Sequence, residues 1–430
     1  MSLKYHIMKK ILIMVVGFGY FFIACSGDKS GDNFQEETTD PILNGGGVAE
    51  FSKVQPMTGI VVWDENPNAN SGAHSLEYSY MLFSDIVSEK GVYNWTTVEN
   101  KLNAIASRNH QAILRFRYAY VGEPTSVPNY IKNLPDYKET KGISEGKETW
   151  FPDWSHPELK DFTLQFYEKF AEKYDNDNRL AFLQVGFGLW AEYHIYDGPF
   201  VLGKTFPSKE YQTTFLNKLS TVFKKLKWSI SIDAEDTNVS PLRSNTPLLS
   251  LSFGLFDDSF MSAEHKSFNE PRFAFFGANR YQNAPIGGEF SYYTTHDQKN
   301  VLSPTGAHGE SYKSFAKRFH VTYMIGNDQY QYQTTNTIKT ASLNTGYKFE
   351  VVKFEKFNGK SQLTVKNIGT APIYYDAYLS INGNKSTTSL KTLMPNQERV
   401  FTINYDGDEN LVITCDRLLS GQTIDFKKSY

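Results

Sequence analysis

The sequence predicts a (β/α)₈ barrel followed by a small all-β, immunoglobulin-like sandwich. Three observations lead there. Eight short β-forming runs alternate with helical spacing between residues 59 and 326. That span is close to the ~250 residues such a barrel takes. Beyond residue 346 the helical spacing stops, and short alternating runs are joined by Asn-Gly pairs.

The elements follow in order. Gly59–Trp63 and Tyr78–Phe83 read as the first two strands. Val98, Leu102, Ile105 and Ala106 fall at helical spacing before the third strand, Gln111–Arg117. Leu159, Phe162, Phe166 and Phe170 mark a helix over 157–174. It leads to an apolar run from Leu180, read as a strand that persists through Gln184, Gly186, Gly188, Trp190 and Glu192 on one face. An amphipathic helix over 211–226 precedes the fifth strand, Trp228–Asp233. The sixth is read over 248–258, the seventh over 285–290 and the eighth over 320–325, after a helix at 312–319. In the C-terminal part, alternating runs flank Asn358-Gly359 and Asn382-Gly383, as antiparallel hairpins require.

A doubly wound open sheet would show the same alternation. The eightfold count and the lack of a glycine-rich phosphate fingerprint favour the barrel, and no cofactor is expected. The expected organisation is a signal peptide over 1–24, a tether over 25–48, a barrel over 49–340 and a sandwich over 341–430.

The N-terminus supports the first of these. Met8-Lys9-Lys10 precedes an apolar run to Ala24, the length of a secretory h-region and too short for a confident membrane span. Phe22-Ile23-Ala24-Cys25 resembles a bacterial lipobox, which makes Cys25 the lipidated residue of an outer-membrane lipoprotein, facing the periplasm or the cell surface. An ordinary signal peptide or membrane anchor is the alternative. The polar, glycine-rich stretch 26–48 reads as a flexible tether. With Cys25 lipidated, Cys415 has no disulfide partner. The net charge of −3 over 430 residues disfavours a nucleic-acid partner. Aromatic residues make up 15 %, which suits β-rich cores and also rings that stack on a sugar.

Two carboxylates flanking a glycosidic bond are what its hydrolysis needs, and barrel enzymes gather such groups at the C-terminal strand ends. Glu192 ends the fourth strand. Glu289, behind Gly287-Gly288, ends the seventh, 97 residues later. Three βα units of ordinary length fill that interval. Arg115 and Arg117 share a face of the third strand. Arg115 would hold Glu289 ionised and Arg117 would bind a substrate hydroxyl or carboxylate, or both form internal ion pairs. His194 would orient Glu192 or bind a hydroxyl. Glu-x-His lacks the helical spacing of the common zinc motif, so no metal is expected. Asp257 and Asp258 end the sixth strand, and Asp257 is a candidate substrate ligand. Trp63, Trp150, Trp154, Trp190 and Tyr292 are candidate stacking platforms, with barrel packing as the alternative for Trp63 and Trp190.

Acid/base on strand four and nucleophile on strand seven resembles clan A of the retaining glycoside hydrolases, which includes β-galactosidase-like barrels. Gly91-Val92-Tyr93-Asn94-Trp95 and Ile113-Leu114-Arg115 are similar to the opening of those barrels. Over about 50–430 the chain looks like a family of bacterial glycoside-hydrolase-like lipoproteins that join a barrel to a C-terminal β-sandwich. Trp190-Ala191-Glu192-Tyr193-His194 and Gly287-Gly288-Glu289 carry that likeness. The resemblance implies a carbohydrate substrate, with Glu192 as acid/base and Glu289 as nucleophile. Ala191 departs from the pattern, because the well-studied retaining enzymes place Asn there. A non-catalytic glycan-binding lipoprotein on a barrel scaffold is the rival reading.

Overall fold

The computed structural model describes residues 47–430, so the signal peptide, Cys25 and nearly all of the tether lie outside the described residues. Eight strands close into a barrel: β1 (Gly59–Trp63), β2 (Leu76–Leu82), β3 (Gln111–Arg117), β4 (Leu180–Gln184), β5 (Lys227–Ser231), β6 (Gly254–Phe260), β7 (Ile286–Phe290) and β8 (Tyr323–Ile325). All neighbours are parallel, and β8 pairs back onto β1. Both faces of such strands are covered, so the central ones read as unbroken apolar runs. All seven residues of β3 and all five of β4 are buried.

Helices pack outside. The helix α1 (Thr96–Ser107) follows β2, α2 (Pro157–Tyr174) follows β3, α3 (Lys209–Val222) follows β4 and α4 (Lys266–Phe275) follows β6. In α2, Pro157 stands in the first turn, where its missing N–H costs nothing, and His156 accepts a hydrogen bond from the Glu158 N–H. Its apolar stripe, Leu159, Phe162, Phe166 and Phe170, is buried against the barrel.

Three strand expectations need correction. The fourth strand stops at Gln184. The sixth begins at Gly254, because Pro247 starts a helical turn at Thr246–Leu249 and uses the leucines that imitate a strand. The eighth begins at Tyr323, since His320 has φ 54° and cannot sit in a strand.

The C-terminal part forms two further sheets from β9 (Phe349–Phe357), β10 (Lys360–Asn367), β11 (Ala377–Ile381), β12 (Asn384–Lys385), β13 (Glu398–Ile403), β14 (Val412–Cys415) and β15 (Phe426–Lys428). One sheet has the order Gly47–Val48, β15, β9, β10, β13, and the other β12, β11, β14. Asn358-Gly359 and Asn382-Gly383 all take positive φ, as tight hairpins of this hand demand.

These sheets close the bottom of the barrel. Tyr375 donates its hydroxyl to the carbonyl of Ala181 at the start of β4. Gln111, the first residue of β3, donates to the Arg417 carbonyl at 2.6 Å, and Arg417 reaches the carbonyl of Asp175 at 3.0 Å. Phe182 inside the barrel stacks on Tyr323 and Tyr375, so one core runs from the lumen into the sheets. Side chains at this end serve stability and leave the opposite end open for chemistry.

Candidate active site

The stretch after β4 delivers Glu192 by folding back on itself. Gly188 N–H donates to the Glu192 carbonyl at 2.8 Å, Leu189 N–H to that of His194 at 3.1 Å, and Glu192 N–H to that of Leu189 at 3.0 Å. A Cβ on Gly186 would lie 1.9 Å from the Ala191 oxygen, and one on Gly188 1.9 Å from the His194 oxygen. The glycines make room for the chain itself. Trp190 and Ala191 sit in the left-handed region at φ 56° and 59°. Each costs roughly 1–2 kcal/mol there, strain that the surrounding hydrogen bonds hold in place. Strand alternation therefore does not set the direction of Glu192. Ala191 is fully buried.

On β3, Arg115 is wholly buried at the base of the mouth. Its Nε donates to Gln184 Oε1 at 2.7 Å. Nη1 lies 2.6 Å from Asp258 Oδ2, 3.2 Å from the Trp190 carbonyl and 3.7 Å from Glu192 Oε1, while Nη2 lies 3.3 Å from Asp258 Oδ1. The guanidinium rests 4.2 Å above the Phe256 ring. Its partner is thus Asp258, and the expected support of Glu289 by a direct bond from Arg115 is not what the structure holds.

Alternation along β6 explains this. Phe256 and Asp258 face the lumen, and Asp257 faces outward, where Asn269 donates to its carboxylate at 2.9 and 3.1 Å and the Ser259 N–H at 2.9 Å. Asp257 is a buried anchor behind the barrel and not a substrate ligand. Burial pushes its carboxyl up to about 7.

On β7, a Cβ on Gly287 would meet the Tyr323 ring at 2.3 Å, and Gly288 has φ 149° with the Asp257 carbonyl 2.0 Å from where its Cβ would be. Those glycines serve strand packing. Glu289 emerges beside Ile325 of β8, with the Tyr292 side chain near enough to act on its carboxyl.

The electrostatics follow from burial and crowding of carboxyls. Burial, then Asp258, raises Glu289 well above the usual range, against Arg115 and Tyr292, which lower it. Burial and Asp258 likewise bring Glu192 to about 8, although His194 and Arg115 oppose them. His194 Nε2 lies 2.9 Å from Glu192 Oε2. Burial lowers the imidazole most, but Glu192, Asp233 and Asp258 together outweigh it and bring His194 to about 9. Each shift depends on the other's charge: a charged imidazole pulls Glu192 down, and a charged carboxylate pulls His194 up.

Rings line the rim. Trp63 meets Tyr80 edge-on at 5.4 Å, Tyr80 meets Tyr120 at 5.9 Å, and Tyr120 meets Trp190 at 6.3 Å. Half-exposed Tyr196 stacks on Trp190 at 5.7 Å and 17°. Arg117 lies over Tyr120 at 4.4 Å and pairs with Glu123 at 2.7 Å. Tyr292 is 47 % exposed. Trp154 is fully buried against Tyr118 and Phe187 and is no platform, while Trp150 lies on the hairpin Lys147–Phe151. Among the described residues, ligand atoms of Glu192, His194 and Asp233 come within 4.8 Å of one another, close enough to hold a cation. The group already has positive neighbours: Arg272 lies 2.6 Å from Asp233, and Arg115 lies beside Glu192.

No protein-family model matches the chain, and no curated protein matches it. Its neighbours among solved structures are glycoside hydrolases. A GH5_18 enzyme from Bifidobacterium longum aligns with a TM-score of 0.43 at 6 % identity, covering 67 % of this chain and 78 % of that one. An α-galactosidase from Thermus thermophilus aligns at 0.40 and 12 %, covering 73 % and 66 %. The galactosidase domain of an α-galactosidase–sucrose kinase aligns at 0.37 and 12 %, covering 81 % of this chain and 54 % of that one. The chain spans about half the length of that last protein.

Sequence reasoning brings Glu192, Glu289, Arg115, His194 and Trp190 to one mouth, as found. It ranks Asp257 above its neighbour Asp258, and it passes over Tyr120 and Tyr196. Counting alternation from Phe256 would have separated the two aspartates. Tyr196 stands two residues beyond His194, within the same stretch.

Proposed function

We propose that the chain is a glycoside hydrolase acting on an oligo- or polysaccharide, with Glu192 as the proton donor to the leaving oxygen and Glu289 as the second carboxyl of the site. The observation that carries this reading is the convergence of Glu192 and Glu289 with a wholly buried arginine at the C-terminal mouth of a closed barrel. With its carboxyl at about 8, Glu192 is protonated at neutral pH and able to act as an acid. The rings from Trp63 to Tyr196 offer apolar faces for sugar C–H surfaces, and Arg117 a donor at their edge. We take the reaction to be retaining, the immunoglobulin-like C-terminal sheets to be a structural base, and Cys25 to tether the enzyme to the outer membrane.

A panel of activated glycosides and complex glycans tests the reading. Turnover that Glu192→Gln abolishes supports it, and turnover indifferent to Glu192→Gln refutes it. A second reading, glycan binding without cleavage, draws on the upward push on Glu289, which leaves that residue short of the charge a nucleophile needs. Binding with no turnover of any glycan would favour it.

A further inference from the structure

The cations at the mouth are unequally shared. Arg115 makes two contacts to Asp258, at 2.6 and 3.3 Å. His194 holds Glu192 at 2.9 Å, and Arg117 holds Glu123 at 2.7 Å. Among the described residues, no Lys, Arg or His lies within ion-pair distance of Glu289, and Tyr292 is the polar neighbour that acts on its carboxyl. Three carboxyls crowded into a buried mouth cannot all be ionised, and the one that binds the guanidinium in a forked geometry keeps the charge.

We propose that Asp258, on β6, is the anionic carboxylate of the site and its nucleophile, and that Glu289 is a neutral hydrogen-bonding group beside it. This rests on the hydrolase reading for its chemistry, but its charge assignment stands independently. Asp258 Oδ1, the more loosely held oxygen at 3.3 Å from Arg115, keeps a lone pair for attack. In the first step it bonds to the anomeric carbon while the bond to the leaving oxygen breaks, and that oxygen takes the proton of Glu192. In the second, water attacks the same carbon and gives its proton to Glu192, and the Asp258 oxygen departs with its electron pair. Glu289 and Tyr292, both neutral, hydrogen-bond sugar hydroxyls.

Two measurements test this, each on the full-length protein. Infrared difference spectra near neutral pH read the protonated-carboxyl band of wild type, Glu192→Gln and Glu289→Gln, two isosteric changes that keep the fold. The band should shrink in both variants. A band unchanged by Glu289→Gln means that Glu289 is ionised and overturns the assignment, whatever the protein hydrolyses. For a glycoside that is turned over, the matching 2-deoxy-2-fluoro glycoside should leave a covalent sugar on the wild-type peptide containing Asp258. A label on Glu289, or turnover with no label at all, refutes Asp258 as nucleophile. Glu289→Gln should then lose roughly tenfold to a hundredfold in kcat, and Asp258→Asn at least about 10³-fold. If no glycoside is turned over, the hydrolase reading fails, and the infrared result still decides the charge.

Discussion

Replacing Glu192 with Gln removes a proton that the fold holds, and the effect on stability depends on pH. The folded chain holds the Glu192 carboxyl at about 8 against an ordinary 4.5. Wild type therefore binds an extra proton on folding and loses stability as pH rises from 4.5 toward 8. At about 1.4 kcal/mol per pH unit, that loss reaches about 3 kcal/mol at pH 7. Gln has the same shape and no proton to bind, so the variant does not pay it. The amide oxygen can still accept from His194, which lies 2.9 Å from Glu192 Oε2, so that hydrogen bond is kept. The variant should match wild type near pH 4.5 and be more stable by about 3 kcal/mol at pH 7. At roughly 2–4 °C per kcal/mol, the melting temperatures should coincide near pH 4.5 and separate by about 6–12 °C at pH 7. Scanning fluorimetry across that range reads this without any substrate. A difference of constant sign and size would refute the view that burial holds a proton on Glu192.

Other expectations follow from the same structure. Gly186→Ala places a methyl 1.9 Å from the Ala191 oxygen, so the fold-back must open by about 1 Å, and a hydrolase should lose about 10²-fold in kcat with the barrel intact by circular dichroism. Ala191→Asn puts a larger polar side chain into a sealed place, so it should destabilise by about 1–3 kcal/mol and bring no gain in turnover. Tyr375→Phe removes a hydroxyl from the Ala181 carbonyl at the far end of the barrel, so it should lower stability by about 1 kcal/mol in urea unfolding with kcat unchanged. Asp257→Ala leaves the Ser259 N–H without its acceptor and Asn269 with Ser259 alone, so it should cost about 1–3 kcal/mol and act on stability before substrate affinity.

Much of the fold is legible locally. The helical stripe Leu159–Phe162–Phe166–Phe170, the capping His156-Pro157 pair and the Asn-Gly turns report their own conformations, because neighbouring residues make those interactions. Glu192 and Glu289 are legible as acids three units apart, although only Glu289 lies on its strand and Glu192 follows β4 on a fold-back. The errors fall where backbone direction depends on distant atoms. Leu248 and Leu249 look like strand until Pro247 turns them into helix. Asp257 and Asp258 read alike as acids at a strand end, and the face of β6 that meets the lumen decides that one lies behind the barrel and the other on Arg115.

By itself the sequence determined the alternation that closes a barrel, the β-rich C-terminal part, and the acids and rings that reach one mouth. Periodicity and turn chemistry are short-range, and they are written in adjacent residues. Tertiary structure alone decided how Gly188–His194 folds back, which aspartate meets the arginine of β3, and which carboxyls keep their protons. Those outcomes depend on charges and backbone oxygens from β3, β4, β6 and β7 meeting in a dry space, where a contact of 2.6 Å in place of 3.7 Å settles which acid is paired.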